Sequence, residues 1–126
     1  MSFIPIQHQP RILIVERSFE LAVVIDRILC SMQQWRICRA SEVEESVALN
    51  SINNTPFDAL ITSQSMARGL LQEIQVRNLF IYNFQAAATD LPLAAIECVD
   101  LSTGIPDYRA LNQFIGTLRV KAKESM

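Results

Sequence analysis

The chain has 126 residues, half of them hydrophobic and 19% charged, with a net charge of −2. That balance excludes a disordered chain and fits one globular domain with a single core. It is also a poor footprint for direct nucleic-acid binding, because Lys121 and Lys123 are the only lysines and the arginines are scattered.

The first ten residues, MSFIPIQHQP, read as a short N-terminal arm, and 11–126 as the domain. The arm has no basic region and no long apolar run, so it does not resemble a signal peptide. No stretch approaches the roughly 18 to 20 apolar residues of a membrane span. Cys30, Cys38 and Cys98 are odd in number and lie in no close pair. They read as reduced thiols in a cytoplasmic protein. His8 is the only histidine, and it sits in the arm. The residues therefore suggest no metal site and no cofactor.

RILIVE, 11–16, is a continuous apolar run that suits a strand buried on both faces. A helix follows, capped by Ser18, with Leu21, Val24, Ile25, Ile28, Leu29 and Met32 forming one stripe. WRICR, 35–39, alternates apolar and basic residues like a half-exposed edge strand, with Trp35 as an anchor at its start. Ser41 and Glu44 have capping-box spacing, and Val43, Val47 and Ile52 mark the buried side of the next helix.

FDALITS, 57–63, is the third strand and ends in small polar groups. A short helix over 67–78 turns Leu70, Leu71 and Ile74 inward. Strands are expected at Leu79–Phe84 and Ala94–Leu101. The last helix begins near Pro106 or Asp107, and Leu111, Phe114, Ile115, Leu118 and Ala122 mark its buried face. Alternating strands and helices imply an α/β fold with a parallel sheet covered on both sides. Between the fourth and fifth strands lies only QAAATDLPLA. A parallel crossover takes about a dozen residues, usually helical. The fourth helix is therefore expected to be short, distorted or absent.

RILIVE, PFDALITS, NLFIYN and IPDYRAL, in this order and spacing, resemble the receiver domain of bacterial response regulators. That CheY-like family has a flavodoxin-like three-layer sandwich with a five-stranded parallel sheet of order 2-1-3-4-5. A working receiver holds Mg²⁺ on two acidic residues after the first strand and phosphorylates an Asp at the tip of the third. A Thr or Ser ending the fourth strand bonds the phosphate, and a Lys after the fifth neutralises it. Carried over by resemblance, the acidic pair falls on Glu16 and Arg17, the acceptor on Ser63 and the Thr/Ser position on Asn83. The Lys has no counterpart, since 78–108 contains no Lys or Arg. The resemblance thus implies a degenerate pocket, a pseudo-receiver with one carboxylate left.

Without an adjacent base Ser63 is a weak nucleophile. Arg17 is expected to pair with Glu16 or to reach Ser63, and the Glu16–Arg17 couple reads either as a ligand site or as a plain surface ion pair. Tyr82 and Phe84, two apart on a strand, are expected on one face with Asn83 on the other. That face is either an open partner surface or covered by the loop that follows. The leading expectation is a non-enzymatic, phosphorylation-independent signalling module acting through a protein partner or self-association as a homodimer. Two alternatives stand beside it. One is a small-ligand sensor using a crevice lined by Glu16, Arg17, Thr62, Ser63 and Asn83. The other is the N-terminal regulatory domain of a larger transcriptional regulator.

Overall fold

The computed structural model describes residues 11–32, 36–52, 57–86, 91–94 and 96–124. The N-terminal arm with His8, and Trp35, lie outside them, as do the side chains of Ile52 and Ala122. Among the described residues five strands and four helices follow one another as β1 (Arg11–Val15), α1 (Phe19–Met32), β2 (Arg36–Ala40), α2 (Val43–Ile52), β3 (Ala59–Ser63), α3 (Gln64–Glu73), β4 (Asn78–Tyr82), β5 (Cys98–Leu101) and α4 (Tyr108–Glu124). All pairings are parallel and the strand order is β2-β1-β3-β4-β5. This is the flavodoxin-like, receiver-type order that the sequence predicts. Among the described residues no helix stands between β4 and β5.

The period of two along β1, β3 and β4 divides the core into two layers. Ile12, Ile14, Ala59, Ile61, Phe80 and Tyr82 face α1 and α4. Leu13, Val15, Leu60, Leu79 and Ile81 face α2 and α3. The three central strands are buried along their whole length, which explains their unbroken apolar composition. β2 and β5 form the edges. β2 leaves Arg36 and Arg39 exposed, in keeping with its alternating sequence.

The last helix docks through Leu111, Phe114, Ile115 and Leu118, all at most 4% exposed. Each such side chain contributes about 1.5–3 kcal/mol of apolar burial. Phe114 meets Phe80 edge-on, with ring centroids 5.5 Å apart. Asp107 caps this helix by accepting from the Ala110 amide at 2.8 Å. Ser18 caps α1 as expected, accepting from the Leu21 amide at 3.3 Å.

Several local expectations are corrected. Val24 is 47% exposed, because Ala22 takes its place in the buried stripe of α1. The Ser41 amide is satisfied by Glu45 rather than Glu44, at 2.7 Å. α3 starts at Gln64, directly after β3, and ends before Ile74, which is nonetheless buried. Gly69 lies so near α2 that a Cβ there would sit 3.3 Å from a Val43 methyl. β5 spans only four residues, since 91–97 carry no strand among the described residues.

The opposite end of the sheet explains the Phe57-Asp58 entry to β3. The Asp58 carboxylate accepts from the Arg11 amide at 2.8 Å, and the Asp58 amide donates to the Arg11 carbonyl at 2.9 Å. The Arg11 guanidinium lies 4.4 Å from the Phe57 ring centroid. Asp58 therefore registers two strands.

Candidate functional site

The carboxyl ends of β1, β3 and β4 form the rim where a doubly wound sheet keeps its ligands. Each sequence-predicted site residue lies there, but each is held by a neighbour. Glu16 follows β1. One carboxylate oxygen accepts the Tyr82 hydroxyl at 2.6 Å, and the other accepts the Ser18 amide at 2.7 Å. Its own amide donates to the Ala40 carbonyl at 3.0 Å. The remaining acidic group of the rim thus closes the start of α1 and satisfies a buried phenol.

Tyr82 is fully buried. Burial pushes its ionisation well above the ordinary phenol range, and the hydrogen bond from Tyr82 to Glu16 pushes further the same way. Tyr82 and β1 stand on opposite sides of β3, so this bond spans the end of three strands. The sequence reading missed it. The signal was a tyrosine ending an otherwise apolar buried strand, NLFIY, because a buried hydroxyl needs a polar partner.

Arg17 pairs with neither Glu16 nor Ser63. Its guanidinium lies 3.6 Å from Glu42, and both side chains are more than half exposed. It is a surface ion pair, but with Glu42 where Glu16 was expected, and such a pair contributes little to stability. Thr62 is fully buried and donates to the Val15 carbonyl at 2.9 Å, so it fastens β3 to β1 and lines nothing. Ser63 is 8% exposed, and its hydroxyl lies 3.0 Å from that of Ser65.

Asn83 adopts a positive φ of 54°, one that asparagine tolerates better than most residues. This turn ends β4 and overturns the alternation expected across 82–84. Tyr82 joins the α1/α4 layer, whereas Phe84 packs against the α2/α3 layer. The two aromatic rings share no open face. Tyr82 presents nothing to a partner, and Phe84 is half-buried.

The single crevice expected from the sequence is two clefts with no residue in common. One, of about 420 Å³, lies beside Glu16, Arg17, Phe19, Arg39 and Glu45. The other, of about 460 Å³, lies beside Ser63, Ser65, Arg68, Asn83, Gln85 and Leu91. Gln64 fixes the outer wall of the second. Its side-chain oxygen accepts the Gln85 amide at 2.7 Å, and its nitrogen donates to the Gln85 carbonyl at 3.2 Å.

Among the described residues no three His, Cys, Asp or Glu side chains converge as a cation site. Nor is any described helix long and apolar enough to cross a membrane.

No family model matches the sequence, and no curated protein matches it. Solved structures do match the fold. The signal receiver domain of a protein described as a Luxo repressor, from Vibrio parahaemolyticus, superposes with a TM-score of 0.65 at 14% identity. The match covers 93% of this chain and 95% of that one. The lysine decarboxylase LdcF of Francisella novicida gives a TM-score of 0.60 at 9% identity over 92% of this chain, but over only 18% of its own. The first likeness shows a receiver-type fold, and neither says anything about the chemistry of the rim.

Proposed function

We propose that the chain is a receiver-like signalling module that acts through protein contact without phosphorylation. One observation carries this reading: both oxygens of Glu16 are engaged, by the Tyr82 hydroxyl and the Ser18 amide. Mg²⁺ needs hard oxygen ligands in a near-octahedral set. Here the one candidate carboxylate would have to release a buried phenol and open a helix start to ligate it. The acceptor position is a hydroxyl bonded to another hydroxyl, with no base bonded to it among the described residues. No lysine or arginine occurs in 78–108 to steady a transferred phosphoryl group. An enzyme built on this rim has no support from these residues.

The surface that favours protein contact lies at the β5 edge. Leu101, Ile105 and Tyr108 are 47, 64 and 54% exposed over a stretch of eight residues. Leu101 ends, and Ile105 and Tyr108 follow, a four-residue edge strand whose outer side no described strand covers. Apolar groups gathered in this way mark interaction sites more often than scattered ones do. The partner, a second copy or another protein, is read from light scattering of the wild type and of Ile105→Asp.

The absence of a switch is tested with ¹⁵N NMR spectra recorded with Mg²⁺, then with Mg²⁺ and beryllofluoride. Amides of 16–18, 63–65 and 83 are expected to stay in place. Saturable shifts that require both additives would overturn the proposal.

A further inference from the structure

The cleft between the start of α1 and the end of β2 is a feature that the signalling reading does not use. Its volume of about 420 Å³ falls within the range of small-molecule sites, roughly 300–1,000 Å³. Its lining and the neighbouring sequence, 15–23 and 38–46, all lie among the described residues. Phe19, Ala22 and Asp26, spaced i, i+3 and i+7, share the side of α1 that meets Arg39 of β2. Ala22 and Ala40, each 4% exposed, form the floor. Two methyl groups stand where longer side chains would fill the gap between helix and strand.

The wall is aromatic. Phe19 is 71% exposed, more than any other large apolar side chain among the described residues. The Arg39 guanidinium lies 5.4 Å from its ring centroid, and Asp26 holds that guanidinium at 3.4 Å. Ring and guanidinium together offer a surface that attracts a second π system, through ring stacking and through the cation.

The charges of the lining are already spent within the chain. Glu16 is engaged by Tyr82 and Ser18, and Glu45 by the amide and hydroxyl of Ser41. Arg17 is paired with Glu42 and Arg39 with Asp26. Two carboxylates and two guanidiniums therefore line the cleft without a net sign. A charged ligand would have to compete with these partners, whereas a neutral one leaves them in place.

We propose that this cleft reversibly binds a small neutral aromatic compound, stacked against the Phe19 ring and the Arg39 guanidinium, over Ala22 and Ala40. Binding breaks no ion pair and needs no divalent cation and no covalent step. It stands whether or not the β5 edge docks a protein.

The test is an NMR titration of the whole chain with indole, cyclohexanol and sodium benzoate, at constant ionic strength and without magnesium. Indole is expected to give saturable shifts at the amides of Phe19, Ala22, Ala40 and Ser41. Cyclohexanol should bind several-fold more weakly, and benzoate no tighter than indole. Phe19→Ala should weaken indole binding at least about tenfold. Phe19→Leu, which keeps apolar bulk without a ring, and Arg39→Gln should each weaken it several-fold. Tyr108→Ala at the β5 edge should change nothing. The dispersion of each variant's spectrum reports whether it is folded. Linear shifts with indole, or equal affinity in folded Phe19→Ala, would overturn the site. Cyclohexanol or benzoate binding tighter than indole would overturn its assignment to neutral aromatic compounds. None of these results bears on the Mg²⁺ and beryllofluoride experiment, so the two readings fail separately.

Discussion

The centre of the rim and the β5 edge are built in opposite ways. At the centre, Glu16, Thr62, Ser63 and Tyr82 are each bonded to a named neighbour. At the edge, Leu101, Ile105 and Tyr108 stand in solvent. The polar groups at the centre act as fasteners, whereas the edge gathers three exposed apolar side chains within eight residues. The contrast teaches that a rim can satisfy its polar groups from within. A tyrosine and a backbone amide engage both oxygens of the Glu16 carboxylate.

The largest effect should separate these two regions. Tyr82→Ala removes a fully buried ring and leaves Glu16 short of a partner, so it should cost about 3–5 kcal/mol in urea unfolding. Ile105→Asp at the edge should stay within about 0.5 kcal/mol. Equal costs would erase the distinction between a sealed centre and a free edge.

A finer cut isolates the phenol. Tyr82→Phe should cost about 1.5–3 kcal/mol, the value of one hydrogen bond to a charged group. The same bond makes a pH prediction. Because the folded-state pKa of Tyr82 is raised, its contribution to stability is fully present below the unfolded tyrosine value of about 10 and is lost as pH rises above it. In a Tyr108→Phe background Tyr82 is the only tyrosine. Tyrosinate absorbance should then rise only together with alkaline unfolding, and a titration step in the folded chain would refute the buried bond.

At the end of β4, Asn83→Val should cost about 1 kcal/mol or more, because a β-branched residue resists a φ of 54°. Asn83→Gly should be close to neutral. Equal stability of the two would mean that the turn relaxes freely.

The smallest effect belongs to the edge strand. Asp100, opposite Phe80 in the register, has its carboxyl pKa raised by burial. The charged form is thus disfavoured on folding, and stability falls as pH rises through the folded pKa. Asp100→Asn should therefore stabilise slightly at neutral pH, by less than about 0.5 kcal/mol since the group remains partly solvated, and the gain should vanish in acid. A gain that persisted at low pH would point to packing instead of charge.

Much of the fold was legible in the sequence, for reasons that can be named. The unbroken apolar runs of β1, β3 and β4 follow from burial on both faces, and the polar alternation of RICRA follows from an edge. The ten-residue gap 85–94, with Pro92 inside it, agrees with the lack of a regular helix there among the described residues. What could not be read was tertiary. Alternation across Tyr82, Asn83 and Phe84 fails because one residue turns into the left-handed region, and asparagine only permits that turn. The split of one expected crevice into two clefts depends on where Gln64 and Tyr82 find partners 21 and 66 residues away. The partners that Glu16, Arg17 and Tyr82 take at the rim were not legible in the sequence.

The most direct test of the sealed rim is the intact mass of the chain after incubation with acetyl phosphate and Mg²⁺, followed by peptide mapping of 57–68. An unchanged mass is expected. The added mass of one phosphoryl group, dependent on Mg²⁺ and mapped to Ser63, would contradict it.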